Sequence, residues 1–196
     1  FEGTTASQAT VSLLRDTDAA GVLLLARNIT GPAQVRRLVC DLEQKLGRRL
    51  IVSIDHEGGW VMRFTAGVTF FPGNGALGRA GDPALAERTG AVMARELRAM
   101  GVNFNLGPVV DVLGPGYNPG IGIRSYGRDP ELVGRLGAAF IRGQEDHGVA
   151  ACAKHFPGKG AATVDAHVDL PTIKLTPAQL DGHLAPFRAA ARAGVA

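Results

Sequence analysis

Four short apolar runs, each cut off by charged or polar residues and each followed by an amphipathic stretch, constrain the fold of this chain more than any other feature. The runs are Gly21 to Leu25, Leu50 to Ile54, Val102 to Leu106 and Gly148 to Ala153. They are too short for buried helices, and two of them are almost wholly Val, Leu and Ile, as strands covered on both faces tend to be. Helical patterns lie between them. Thr30-Gly31-Pro32 opens the first, Val35, Leu38, Val39, Leu42 and Leu46 recur at helical spacing, and Gly47 ends it. The next spans Pro83 to Met100 and is closed by Gly101; a third runs from Asp129 to about His147. The last opens at Thr176-Pro177, carries Leu180, Leu184 and Phe187 on one face, and closes at Ala193-Gly194.

Strand alternating with helix requires parallel strands joined by helical crossovers, so the fold class is α/β. An open doubly wound sheet and a barrel both satisfy the alternation, and the strand ends choose between them. Arg27-Asn28, Asp55 to Glu57, Asp111 and Lys154-His155 all follow directly on a strand or the segment after it. A barrel gathers every such end around one mouth, whereas an open sheet uses those at its switch point. The strand ends therefore favour a barrel over an open sheet, with four β/α units legible in this chain.

Composition excludes several partners. The formal net charge of +3 comes from scattered Arg and Lys with no block of like charge, so no nucleic-acid partner is expected. No apolar run approaches the roughly 20 residues that span a bilayer. Cys40 and Cys152 read as small packing residues in a helix and a buried strand, without disulfide or metal spacing. The chain opens at Phe1 without a Met, so a targeting signal is not legible.

The richest chemistry lies between Ala151 and Pro171, where an apolar run stops at Lys154-His155 and a Gly-rich loop brings Lys159, Asp165 and His167. Gly158-Lys159-Gly160 lacks the upstream Gly and the following Ser or Thr of a phosphate loop, and Gly114-Pro115-Gly116 lacks the third glycine and the helix of a dinucleotide fingerprint. Asp165 and His167, two residues apart, suit an oriented proton-transfer pair. A carboxylate bonded to one imidazole nitrogen fixes the tautomer and leaves the other free to serve a substrate oxygen. The plainer alternative is that both only tie down a loop. Lys154, His155 and Arg124 are donor-rich groups for the oxygens of a polar ligand, Asp55 is an acceptor for a vicinal diol, and surface ion pairs are the plain reading of all four. Arg63, eight residues after Asp55, has no chemical claim of its own. Asp55-His56-Glu57 with His155 and His167 also offers metal-donor types, which makes a metal-dependent barrel hydrolase the rival enzyme. Paired histidines at ligand spacing are missing, however, and Lys154 would repel a cation, so no metal is expected.

Taken together, Asp55-His56-Glu57-Gly58-Gly59 with Val61 and Arg63, Asn105 to Asp111, Arg124-Ser125-Tyr126-Gly127, Lys154-His155-Phe156-Pro157-Gly158 and Asp165-Ala166-His167 resemble glycoside hydrolase family 3. The likeness is to its bacterial β-N-acetylglucosaminidase branch. It covers nearly the whole chain in order, so residues 1–196 are expected to be part of that family's N-terminal catalytic domain. Lys159, Ala161, His56 and Trp60 depart from the branch's usual His, Asp, Gln and Arg.

The resemblance implies a (β/α)8 barrel of the triosephosphate isomerase type, of which this chain is the N-terminal half or so. It also implies a retaining glycosidase that removes terminal β-linked N-acetylglucosamine from cell-wall fragments, with a histidine in place of the usual acid/base carboxyl. It gives the acid/base role to His167 and the orienting role to Asp165, and assigns Asp55, Arg63, Arg124, Lys154 and His155 to the sugar. It implies a carbohydrate substrate and no cofactor. The family's nucleophile is an aspartate on a later strand, so it is expected beyond Ala196, and the 196-residue chain alone is expected to be inactive. β-Glucosidase-type and phosphorolytic activities remain alternatives within the family. An envelope enzyme, secreted or lipid-anchored, and a cytoplasmic one would share this core, so localisation stays open.

Overall fold

The computed structural model describes residues 1–196. Four parallel strands, β1 (Gly21–Leu24), β2 (Ile51–Ile54), β3 (Phe104–Asn105) and β4 (Ala150–Ala151), pair in sequence order. The register runs Gly21 with Ile51, Ser53 with Phe104 and Phe104 with Ala150. Each strand is followed by a long helix: α2 (Pro32–Leu46), α4 (Pro83–Ala99), α5 (Pro130–Glu145) and α6 (Pro177–Arg192). This is the expected succession of four β/α units.

Two further helices were not legible in the apolar pattern. α1 (Gln8–Asp16) precedes the first strand, with Ser7 as N-cap accepting the Thr10 N–H at 3.2 Å and Val11 and Leu14 buried. α3 (Asn74–Ala80) is seven residues with two glycines, in a stretch that reads as Gly/Pro loop. Its Asn74 donates to Arg124 O at 2.9 Å, so the helix braces a residue of the strand-end region.

Strand direction explains the core. Val22, Leu24, Val52 and Ile54 alternate onto one face and are buried with Leu38, Val39 and Leu42 of α2 and Met93 and Leu97 of α4. A second cluster joins Val110 and Val112 to Leu136 of α5 and Phe187 of α6. The opposite face of the sheet is open: Leu23 is 41% and Ile51 52% exposed. β1 and β4 are both edges of the sheet. After α6 the chain returns beside β4, where Ala196 N–H donates to Ala151 O at 3.2 Å.

The third strand is shorter than the apolar run because asparagines take over the pairing at its margins. Asn103 accepts from Val52 N–H and donates to Leu50 O, both at 2.8 Å, and Asn105 accepts from His56 N–H at 3.1 Å and donates to His56 O at 2.9 Å. These amides complete the backbone bonds that a longer ladder would make, beyond which Gly107-Pro108 turns the chain. Three packing expectations need correction. Cys152 lies just past the end of β4 and is only half-buried. Cys40 lies on the solvent side of α2, and Leu180 in the first turn of α6 is 41% exposed, leaving Phe187 as the buried anchor.

Candidate active site

β2 ends at Ile54 and delivers Asp55 and Glu57 into a tight turn at the end of the sheet toward which all four strands run. Gly58 and Gly59 make that turn with φ of 89° and 61°, and Glu57 N–H closes on Val61 O at 2.7 Å. A side chain on Gly58 would also meet the Gly73 backbone at 3.2 Å, so glycine is required for both conformation and space. The turn aims Glu57 inward, where its side chain is 1% exposed.

Three cations converge on these two carboxylates. Arg124 closes a two-bond fork on Glu57, Nε to Oε2 and Nη2 to Oε1, each 2.8 Å. Lys154 Nζ lies 2.6 Å from Glu57 Oε1 and 2.6 Å from Asp55 Oδ1. Arg63 Nη2 reaches Asp55 Oδ2 at 3.2 Å. Burial works against the charge of Asp55, but the bonds and charges of Lys154 and Arg63 outweigh it and hold its carboxyl below the usual range. For Arg124, burial is likewise overcome by Glu57, which raises the guanidinium further above its ordinary value.

Arg124 comes from the long Gly114-to-Gly127 segment, whose shape is set by two polar anchors. Asn118 is buried, donates to Lys159 O at 2.8 Å and Gly160 O at 3.1 Å, and accepts from Gly120 and Ile121 N–H. Ser125 donates to Asp111 O at 2.6 Å. A short 3-10 turn, Gly122–Arg124, then presents the arginine.

Asp111 is fully buried and organises the loop after β4. Its Oδ2 accepts from His155 Nδ1 at 2.6 Å and from His155 N–H at 3.2 Å, and its Oδ1 accepts from Lys159 N–H at 2.7 Å. With Nδ1 committed to Asp111, His155 turns Nε2 toward Arg124 Nη2 at 3.4 Å. Asp111 and Glu57 are the two functional carboxylates that residue-by-residue reading passed over. The only sequence signal they carry is position, just after a strand or its continuation, which they share with Asp55; their burial is seen only in the structure.

Asp55, Glu57, Arg63, Arg124, Lys154, His155, Lys159 and His167 line one cleft of about 380 Å³, with Val61, Leu106 and Cys152 as its apolar share. All five residues expected to hold a sugar are therefore brought together with His167. Asp165 stands behind the histidine, its Oδ1 accepting from His167 Nδ1 at 2.7 Å and from His167 N–H at 3.0 Å. The backbone and side-chain bonds from His167 hold the Asp165 carboxyl below its usual range. The imidazole itself is 77% exposed, which leaves its second nitrogen open to a ligand. A larger groove of about 620 Å³ between α5 and α6 contains none of these groups.

His56 behaves differently from its neighbours. It is buried edge-on against Phe64, 5.9 Å between ring centres, and desolvation lowers its pKa to about 4. It is a neutral core residue, not a cleft residue. No group of three or more His, Cys, Asp or Glu side chains has a metal-holding arrangement, and no helix is long and apolar enough to cross a membrane.

Comparison with known proteins adds an independent finding. The family model described as glycosyl hydrolase family 3 N terminal domain matches residues 3–196. The chain is 41% identical over 192 residues to a β-hexosaminidase of Thiobacillus denitrificans, covering 93% of this chain and 53% of that protein. A family 3 β-N-acetylglucosaminidase from Paenibacillus sp. str. FPU-7 superposes with a TM-score of 0.95 at 45% identity, over 100% of this chain and 38% of that one. NagZ from Neisseria gonorrhoeae, solved with N-trifluoroacetyl-D-glucosamine, gives 0.94 at 34% identity, over 100% of this chain and 59% of that one. The chain spans about half the length of the curated relatives it matches.

Proposed function

Because the chain belongs to glycosyl hydrolase family 3, we propose that the protein carrying it is a β-N-acetylhexosaminidase that releases terminal β-linked N-acetylglucosamine from peptidoglycan fragments. The observation that carries this reading is the cleft itself, in which Asp55, Arg63, Arg124, Lys154 and His155 surround a space open to His167 and its partner Asp165. Such a set of charge-assisted donors and acceptors suits the hydroxyls of one sugar ring. The names of the relatives, β-hexosaminidase and β-N-acetylglucosaminidase, support the choice of sugar.

In the mechanism we propose, His167 Nε2 gives its proton to the glycosidic oxygen as the bond from the anomeric carbon to that oxygen breaks. Asp165 holds Nδ1–H and stabilises the charged imidazole before the transfer. A carboxylate nucleophile from beyond residue 196 takes the anomeric carbon, giving a covalent glycosyl-enzyme. Water then attacks that carbon, passes its proton to His167 and frees the carboxylate, so the configuration is retained. Asp111 is not assigned as the nucleophile, since both of its oxygens are committed to the loop after β4. Residues 1–196 alone are expected not to turn over substrate.

The test is to assay the full-length protein with 4-nitrophenyl N-acetyl-β-glucosaminide and the matching glucoside, with and without phosphate and chelator. Faster release from the N-acetylglucosaminide, indifferent to both additions, is the expected result. Preference for the glucoside, a requirement for phosphate, or loss of activity with chelator would each replace this reading with one of its rivals.

A further inference from the structure

We infer that Glu57 is a positioning residue of the cleft: it holds Arg124 and Lys154 as donors for uncharged sugar hydroxyls and, by offsetting part of their charge, denies the cleft to free anions. The inference rests on the glycosidase reading above and adds to it a residue and a selectivity.

The argument begins with donor counting. A lysine ammonium has three hydrogens; Asp55 and Glu57 take two, so one is left for a ligand. Arg124 has five, of which Glu57 takes two, Gly120 O a third at 2.7 Å and His155 Nε2, at 3.4 Å, a fourth. Glu57 therefore fixes the direction of the remaining donors on both cations. No other carboxylate does so, since Asp55 reaches Lys154 and Arg63 but makes no ion pair with Arg124.

The carboxylate is also poorly placed for substrate contact, because its side chain is 1% exposed and both oxygens are occupied. Its effect on a ligand has to pass through Arg124 and Lys154. A guanidinium fork beside an ammonium is otherwise the geometry of an oxyanion receptor. Removing the negative charge while keeping the shape should convert a sugar cleft into an anion cleft. A role in folding alone would not produce that gain.

The test uses the full-length protein with Glu57→Gln and Glu57→Asp. With the amide, KM for the N-acetylglucosaminide should rise by about 10- to 100-fold, as expected when a charge-assisted network is broken, with a smaller change in kcat. Sulfate, which is no glycosyl acceptor, should become a competitive inhibitor of this variant and not of the parent. The aspartate keeps the charge but is too short to meet fork and ammonium together, so KM should rise without sulfate inhibition. Circular dichroism and thermal melting establish that each variant is folded. If Glu57→Gln does not fold, Glu57→Asp is read alone: raised KM supports the inference and unchanged KM overturns it. A folded Glu57→Gln with parental KM, or with no response to sulfate, also overturns it. If the parent does not cleave N-acetylglucosaminides at all, the glycosidase reading fails by itself. Calorimetric titration of sulfate into parent and variant would still decide whether Glu57 excludes anions.

Discussion

Asp111 offers the sharpest separation between two roles for a buried acid. One carboxylate, with no exposed surface, receives three N–H groups from two residues of the loop that carries Lys154 and His155. Hydrogen bonds to a charged group contribute about 1.5–3 kcal/mol each, and a buried donor left facing another donor costs about 1–3 kcal/mol. Asp111→Asn keeps one acceptor oxygen, which can still serve His155, but turns its amide hydrogens toward Lys159 N–H and removes the charge from what remains. The net loss should be about 3–4 kcal/mol of stability, read as a shift of the urea midpoint at constant slope. KM should rise with it, because the loop that carries His155 loosens. A nucleophile behaves in the opposite way: its replacement would abolish turnover while leaving stability and ground-state sugar binding intact. Asp111→Asn within about 0.5 kcal/mol of the parent, with turnover lost and N-acetylglucosamine affinity kept, would refute the anchoring argument and with it the placement of the nucleophile beyond residue 196.

For the proposed dyad, Asp165→Ala and His167→Ala should each slow turnover by a similar large factor and the double change should cost little more, whereas independent additive losses in a double-mutant cycle would dissolve the pair. Neither should lower the melting temperature appreciably, since the Asp165–His167 loop contributes no buried core. Lys154→Ala should weaken N-acetylglucosamine binding by one to two orders of magnitude, the equivalent of about 1.5–3 kcal/mol, measured by calorimetry. His56 supplies a pH prediction. Its folded pKa of about 4 lies below the ordinary 6.5, so the unfolded chain binds the extra proton first. Its contribution is therefore fully present above pH 6.5 and is lost as pH falls toward 4, by roughly 3 kcal/mol in all. His56→Gln should flatten the stability profile across that window relative to the parent, and an unchanged difference between pH 7 and pH 4.5 would show that burial does not depress the imidazole's pKa in the fold.

The four strands and the long helix after each were legible in the sequence because they follow from local periodicity and from Gly and Pro at the breaks, while α1 and α3 were not. Val35, Leu38, Val39 and Leu42 mark one helix face by spacing alone, and all four are buried. The cluster of polar residues at strand ends was legible for the same reason, since a parallel sheet sends all its strand ends one way and so places Asp55 and Lys154 near each other, 99 positions apart in the chain. What no spacing carries is which acid meets which base. Glu57 and Asp111 look no different in the sequence from Asp55, and His56 looks no different from His155. Only tertiary burial separates them. The turn at Gly58-Gly59 sends Glu57 under Arg124 and Lys154, and Phe64 encloses His56 in an apolar site that keeps it neutral. Asp111 is sealed beneath the loop after β4 while Asp55 stays partly open to the cleft. Desolvation and pairing depend on contacts between segments distant in the chain, and those contacts exist only once the sheet has brought the strand ends together.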